Sequence, residues 1–291
     1  MNRTYFTEPQ TNLQRALIVG AVVLFAAAAV VLITSAGAAP AQNAGKAKAS
    51  SAASAAAKET TIVLVHGAFA ESSSWDAVIS KLTAKGYNVV AVANPLRSLK
   101  SDAAYVASVL ATIKTPVVLV GHSYGGSVIT NAANEQSNVK ALVYIDGYAP
   151  DAGESAASLS AQFPGGTLGS ALAPPVALPD GGKDLYIQEE KFRAQFAADV
   201  PLSETKLMFA TQRPVTEAAL NETSGAPAWK TIPSWFIYGS LDKNITPEAL
   251  VFMAKRAGAK ENVEVKGASH VVMVSKPDEV TKLIERAAQS L

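Results

Sequence analysis

Four short stretches of this chain have apolar cores in which the side chains do not alternate with polar ones: "TTIVLVHG" (60–67), "PVVLVG" (116–121), "KALVYIDG" (140–147) and "PSWFIYGS" (233–240). A strand with one wet face alternates. A strand with a continuous apolar run is buried on both faces, which in practice means a parallel sheet clothed by helices. "YNVVAVANP" (87–95) and "NVEVKG" (262–267) read as further strands. Between them lie helical patterns. "SSSWDAVISKLTAKG" (72–86) sets Trp75, Val78, Ile79 and Leu82 at helical spacing, with Ser73 and Asp76 as a capping box and Gly86 as a stop. Val106, Val109, Leu110 and Ile113 mark a second helix, the residues after Ser123 a third, and Thr246–Ala257 and Pro277–Gln289 two more. The expected fold class is α/β, with a mostly parallel sheet and helices on both faces.

One segment interrupts this alternation. Residues 147 to about 233 hold no convincing strand; they begin rich in Pro and Gly ("FPGGTLGSALAPPVALPDGG") and turn helical around "DLYIQEEKFRAQFAADV" and "LSETKLMFA". An insertion of that size after a strand reads as a helical lid over the carboxyl edge of the sheet, where open α/β folds bind ligands.

The start of the chain bears on location. Residues 16–33, "ALIVGAVVLFAAAAVVLI", carry no charge, and Arg3 and Arg15 precede them. Ala36/Ala38 and Ala39/Ala41 then give small-residue cleavage patterns. As a helix the run would reach roughly 27 Å, close to a bilayer core. Residues 1–34 therefore read as a signal peptide or an uncleaved membrane anchor, and either sends the remainder across a membrane: periplasmic, secreted or membrane-anchored. Residues 35–59 are low-complexity Ala/Ser/Lys and cannot assemble a core, so they read as a linker, leaving 60–291 as the folded domain. A net charge of +1 and the absence of any basic cluster argue against a nucleic-acid partner, and membrane contact is expected only through the N-terminal segment. With no Cys, disulfides, thiolate metal sites and Cys nucleophiles are excluded.

The chemistry gathers at Gly121-His122-Ser123-Tyr124-Gly125. A Gly-x-Ser-x-Gly string arises by chance in about one chain in ten of this length, so the string alone is weak. Its position between a strand and a helix makes it a nucleophile elbow, a turn tight enough to demand flanking glycines and to raise the Ser hydroxyl beside a helix N-terminus. A Ser hydroxyl needs a base. Of the three His, His66 ends the first strand and His122 lies inside the elbow, where its ring should point away from Ser123 into packing. Chain order in such folds is Ser, acid, His, which leaves His270 as the base. Two aspartates end strands in the interval, Asp146 in "VYIDG" and Asp242 in "YGSLDKNITP"; Asp242 is favoured because its strand directly precedes the His-bearing segment. Backbone N–H groups of Ala68 and Tyr124 are the expected oxyanion donors, and Gly67 keeps the acyl group uncrowded. Phe69 and Trp75 could face the pocket, with core packing an equal role for Trp75.

"VLVHGAF", "VVLVGHSYGG", "LVYIDGYAPDAGE", "YGSLDKNITPE" and "VKGASHVVMVSKPDE" together resemble the α/β-hydrolase superfamily, in its compact-lid branch of plant methyl esterases, hydroxynitrile lyases and bacterial relatives. The resemblance implies the α/β-hydrolase fold and a Ser-His-Asp triad acting through an acyl-enzyme, with no metal or organic cofactor, and leaves the substrate open; the Pro, Gly, Leu, Phe and Met of the lid point to a small-molecule ester with an apolar group. It also supports Asp242 over Asp146. Lyases of this branch carry Thr and Lys where Gly67 and Val271 stand, which argues against cyanohydrin cleavage. The leading expectation is a carboxylic ester hydrolase, with amide cleavage open to the same chemistry. The alternatives are a hydrolase-fold ligand-binding receptor with little or no turnover, and a cofactor-free perhydrolase.

Overall fold

The computed structural model describes residues 59–291. The readings made on 1–34, and on all of 35–59 but its last residue, lie outside that range; among the described residues no helix is long and apolar enough to cross a membrane.

The chain begins with β1 (Thr61–Val65), α1 (Asp76–Ala84), β2 (Asn88–Val92) and α2 (Leu99–Thr112). Next come β3 (Val117–His122), α3 (Tyr124–Ala132) and β4 (Val139–Ile145). The insertion contributes α4 (Ala156–Gln162), α5 (Leu168–Ala171), β5 (Val176–Ala177), β6 (Lys183–Leu185), α6 (Glu189–Phe196), α7 (Leu202–Ala210), β7 (Val215–Thr216) and α8 (Glu217–Asn221). It is followed by β8 (Ser234–Gly239), α9 (Pro247–Arg256), β9 (Glu261–Val265), α10 (Val272–Ser275) and α11 (Pro277–Gln289).

Six strands form one sheet in the order β2-β1-β3-β4-β8-β9, every neighbour parallel. Burial follows the sequence pattern. Of the four continuous apolar runs, β1, β3 and β8 are buried at every residue and β4 at every residue but Lys140. The edge strands β2 and β9 alternate between shielded and exposed residues, as strands with one covered face should. Helix α1 packs on α11, and α2 on α3. α11 buries Val280, Leu283, Ile284 and Ala287, a stripe at helical spacing. Thr246 caps α9 by accepting from the Ala249 N–H at 3.3 Å, with Pro247 in the first turn.

Two details depart from the sequence reading. The capping box near residue 73 closes between Glu71 and Ser74, not Ser73 and Asp76, because a 3-10 turn (Ser72–Trp75) precedes α1 and moves the start of the helical region upstream. The insertion also contains strands: β5, β6 and β7 make a small antiparallel sheet. Strands of two or three residues are too short to show any alternation, so no periodicity betrayed them.

Candidate active site

Every candidate side chain leaves the sheet at its carboxyl edge. β3 ends at His122, and Ser123 occupies the turn into α3 with φ 54° and ψ −125°. That is a costly conformation for a residue with a Cβ, roughly 1–3 kcal/mol, and persists only where surrounding structure enforces it. The enforcement is close packing. A Cβ on Gly121 would stand 2.6 Å from the Gly125 carbonyl oxygen, and one on Gly125 2.5 Å from that of Val65. The helix can thus start directly over β1 and β3 only with glycine at both positions.

His270 follows β9 and is fully buried. Its Nε2 lies 2.8 Å from Ser123 Oγ and its Nδ1 2.7 Å from Asp242 Oδ2. Asp242 follows β8, and its Oδ1 accepts from the N–H groups of Asn244 (2.8 Å) and Ile245 (3.0 Å). With three donors, this carboxylate is held in place and its charge is compensated. The His270 loop is fixed as well: Ser269 donates its N–H and its hydroxyl to Asp199 of the insertion, and His122 Nε2 hydrogen-bonds the His270 carbonyl at 3.0 Å. His122 thus points away from Ser123, with its ring centroid 4.9 Å from that of His270. Burial, then the neighbouring His270, keeps its proton affinity well below the usual histidine range, so it is a neutral donor. His66 is similarly neutral, down to about 4 through burial. It accepts from the Asn94 N–H at 3.0 Å and bonds the Gly67 carbonyl at 2.9 Å.

Ala68 and Tyr124 line one cavity with Ser123. Tyr124 is the first residue of α3, so its N–H has no acceptor within the helix. The next N–H along from Ala68, that of Phe69, donates to the Arg213 carbonyl at 2.9 Å. Phe69 lines the cavity, whereas Trp75 is wholly buried and packs edge-on against His122. A Cβ on Gly67 would meet Ser123 Cβ at 2.6 Å, so that glycine makes room for the hydroxyl-bearing side chain itself. The Tyr124 hydroxyl donates to buried Asp102 at 3.0 Å, a brace under the elbow that no sequence motif marks.

Asp146, the other aspartate considered, ends β4 and is also fully buried. One of its oxygens, one Asp242 oxygen and a ring nitrogen of His270 lie within 4.8 Å of one another. Two buried carboxylates at that separation would repel by on the order of 3 kcal/mol at an effective dielectric of about 20. Burial, with the Asp242 charge next, pushes the Asp146 carboxyl well above the ordinary carboxylate range. Among the described residues this is the one trio of His, Asp or Glu whose donor atoms converge, and both His270 nitrogens already face Asp242 and Ser123. Neither is left for an ion.

The cavity at Ser123 is small, about 80 Å³, and largely apolar, with Leu168, Leu220 and Ile245 in its wall. It shares those three residues, Ser160 and Asn244 with an adjoining cavity of about 240 Å³ that Phe163 and Leu172 help to line. Most of this wall belongs to the insertion.

A family described as "Alpha/beta hydrolase family" matches residues 62–283. The chain is 24% identical to an alpha-hydroxynitrile lyase of Arabidopsis thaliana over 240 residues, which cover 75% of this chain and 93% of that protein. It is 31% identical to a carbendazim hydrolyzing esterase of Nocardioides sp. (strain SG-4G) over 135 residues, 38% of this chain and 54% of that one. Among solved structures it is similar to polyneuridine aldehyde esterase, with a TM-score of 0.66, 19% identity, and coverage of 78% of this chain and 98% of that one.

Proposed function

Because the chain belongs to the alpha/beta hydrolase family, we propose that it is a carboxylic ester hydrolase working through an acyl-enzyme on Ser123. The reading is carried by one observation: the unbroken line from Ser123 Oγ through the His270 ring to Asp242, at 2.8 and 2.7 Å, opening onto an apolar cavity. His270 takes the Ser123 proton as Oγ attacks the ester carbonyl. Asp242 holds the Nδ1–H tautomer and offsets the charge on the imidazolium. The developing oxyanion sits between the Ala68 and Tyr124 N–H groups at the N-terminus of α3. His270 returns the proton to the leaving alcohol, then activates water to release the acid.

The cavity supports an apolar substrate. A compact group fits beside Ser123, and a longer limb can pass Leu168 and Leu220 into the larger cavity. Gly67 and buried Val271 offer neither a hydroxyl nor a cation for a departing cyanide, which disfavours the lyase reaction of the Arabidopsis relative. The apolar run at 16–33 supports export, either secreted or anchored; an intact Met1 on protein from a membrane-free fraction would count against cleavage of that run.

The test is turnover of short p-nitrophenyl esters by the full chain. Ser123→Ala should lower kcat by 10⁴-fold or more at unchanged Tm. A fluorophosphonate that labels some residue other than Ser123 would overturn the assignment.

A further inference from the structure

A second carboxyl group stands behind the line just described, and four observations concern it. Asp146 is fully buried at the end of β4. Its backbone has φ 42°, so it shares with Ser123 a left-handed conformation that L side chains resist. Oδ1 accepts from the Gly239 N–H at 2.8 Å, while Oδ2 is buried with no partner in hydrogen-bond geometry. The carboxyl lies within 4.8 Å of both the Asp242 oxygen and the His270 nitrogen.

Two carboxylates and one imidazole in a fully enclosed space cannot all be charged cheaply, so one acid keeps its proton. The hydrogen bonds say which. Asp242 accepts three N–H groups and is compensated as an anion. Asp146 accepts one good bond and keeps an oxygen that no N–H or O–H satisfies, which is where an acid proton would reside. Resting on the reading of Ser123, His270 and Asp242 as the reacting line, we infer that Asp146 is a positioning residue: a neutral carboxylic acid that donates its Oδ2 proton to the Asp242 carboxylate. Burial and the Asp242 charge act in the same direction. The titratable groups facing it are Asp242 and His270. Tyr148, raised to about 12 by burial, bonds Ser160 with its hydroxyl and senses the Asp242 charge, and neutral His122 backs His270. The Gly239 and Val272 N–H groups act on Asp146 in the opposite direction to burial, more weakly.

Donation from Asp146 does two things. It fixes the rotation of Asp242 so that Oδ2 meets His270 Nδ1, and it drains part of the negative charge that would otherwise act on the imidazolium. Asn at 146 reproduces both interactions, its carbonyl accepting from Gly239 and its amide donating to Asp242, and it cannot ionise. Ala reproduces neither.

The experiment follows the rate at which a fluorophosphonate labels Ser123 of the full chain across pH 4–9, beside the melting temperature of each variant. Asp146→Asn should stay within about threefold of the unmutated rate, with its acidic limb unmoved. Asp146→Ala should label about tenfold more slowly, and its acidic limb should move to higher pH by about half a unit or more, because Asp242 then acts on the imidazolium with its full charge. An Asp146→Asn limb displaced by about a unit to lower pH would mean that Asp146 is ionised in the native protein and would overturn the inference. So would Asp146→Ala behaving as the unmutated protein, or losing rate with no change in the limb. If Asp146→Ala fails to fold, the Asn variant decides alone. No labelling of the unmutated Ser123 would instead remove the reacting line, a failure separable from all of these.

Discussion

The carboxyl edge of the sheet and the insertion above it meet at one cavity, yet they hold their side chains by different means. At the edge, Ser123, Asp242 and His270 are fixed by backbone: strand ends in register, glycines at van der Waals limits, and N–H donors to each carboxylate. The insertion is held largely through side-chain pairs, beside a few backbone bonds such as Phe69 N–H to the Arg213 carbonyl and Thr216 N–H to the Leu96 carbonyl. Arg97 bridges to Asp184 at 2.6 Å and reaches the Pro214 carbonyl; Arg213 grips Glu71 through two nitrogens at 3.0 Å; Arg256 grips Glu154 at 2.7 Å. Partly exposed pairs of this kind contribute about 0–1 kcal/mol each. Its apolar contact is a cluster of Phe192, Phe196 and Phe209, with Phe196 reaching Phe69 and the His270 ring. The comparison teaches that the proposed reacting groups sit in the part with least freedom to change, while the proposed substrate wall lies where single substitutions are mild.

Four measurements would break or sharpen that contrast. Asp242→Asn should cut turnover by about 10³–10⁴-fold with the fold intact, since an amide favours the wrong His270 tautomer; a loss below tenfold would show that the edge is less exacting than described. The edge should also be sensitive to acid. His66 binds its proton near 4 when folded and near 6.5 when unfolded, so the unfolded chain holds the extra proton between those values. Stability is then full above about pH 6.5 and falls as pH drops towards 4, by up to about 3 kcal/mol from this group, with His122 acting in the same sense. Urea midpoints that stay flat from pH 7 to 4.5 would contradict this. In the insertion, Leu168→Trp should close the passage between the two cavities and lower kcat/KM for long-chain esters about tenfold relative to acetate, leaving acetate turnover within twofold. Smallest of all, Arg213→Ala should change kcat less than threefold and Tm by no more than a few degrees, while hastening proteolysis within 147–233.

Legibility divides along the same line. Strand ends were readable because "VVLVGHS" and "WFIYGS" put a continuous apolar run directly before a Gly and a polar residue, and local pattern is all that such an element requires. The proposed base followed by elimination among three His, and the three side chains selected meet at 2.8 and 2.7 Å. What stayed hidden depends on distance in the chain. The Glu71–Arg213 pair spans 142 residues, and β6 pairs with β7 some thirty residues later, so no local signal announces either. Asp146 was visible only as a rival to Asp242; that both would lie beside His270 depends on β4 and β8 being neighbours, a matter of strand order rather than pattern.

The parallel sheet sends the proposed reacting groups outward from β3, β8 and β9 and takes none from the insertion. The scaffold is therefore modular in the engineer's sense. Residues 147–233 could be exchanged for a cap of another shape, spliced between Asp146 and Pro233, provided it keeps a carboxylate where Asp199 holds Ser269, and the new protein would inherit the same proposed chemical tool with a different choice of molecules to use it on.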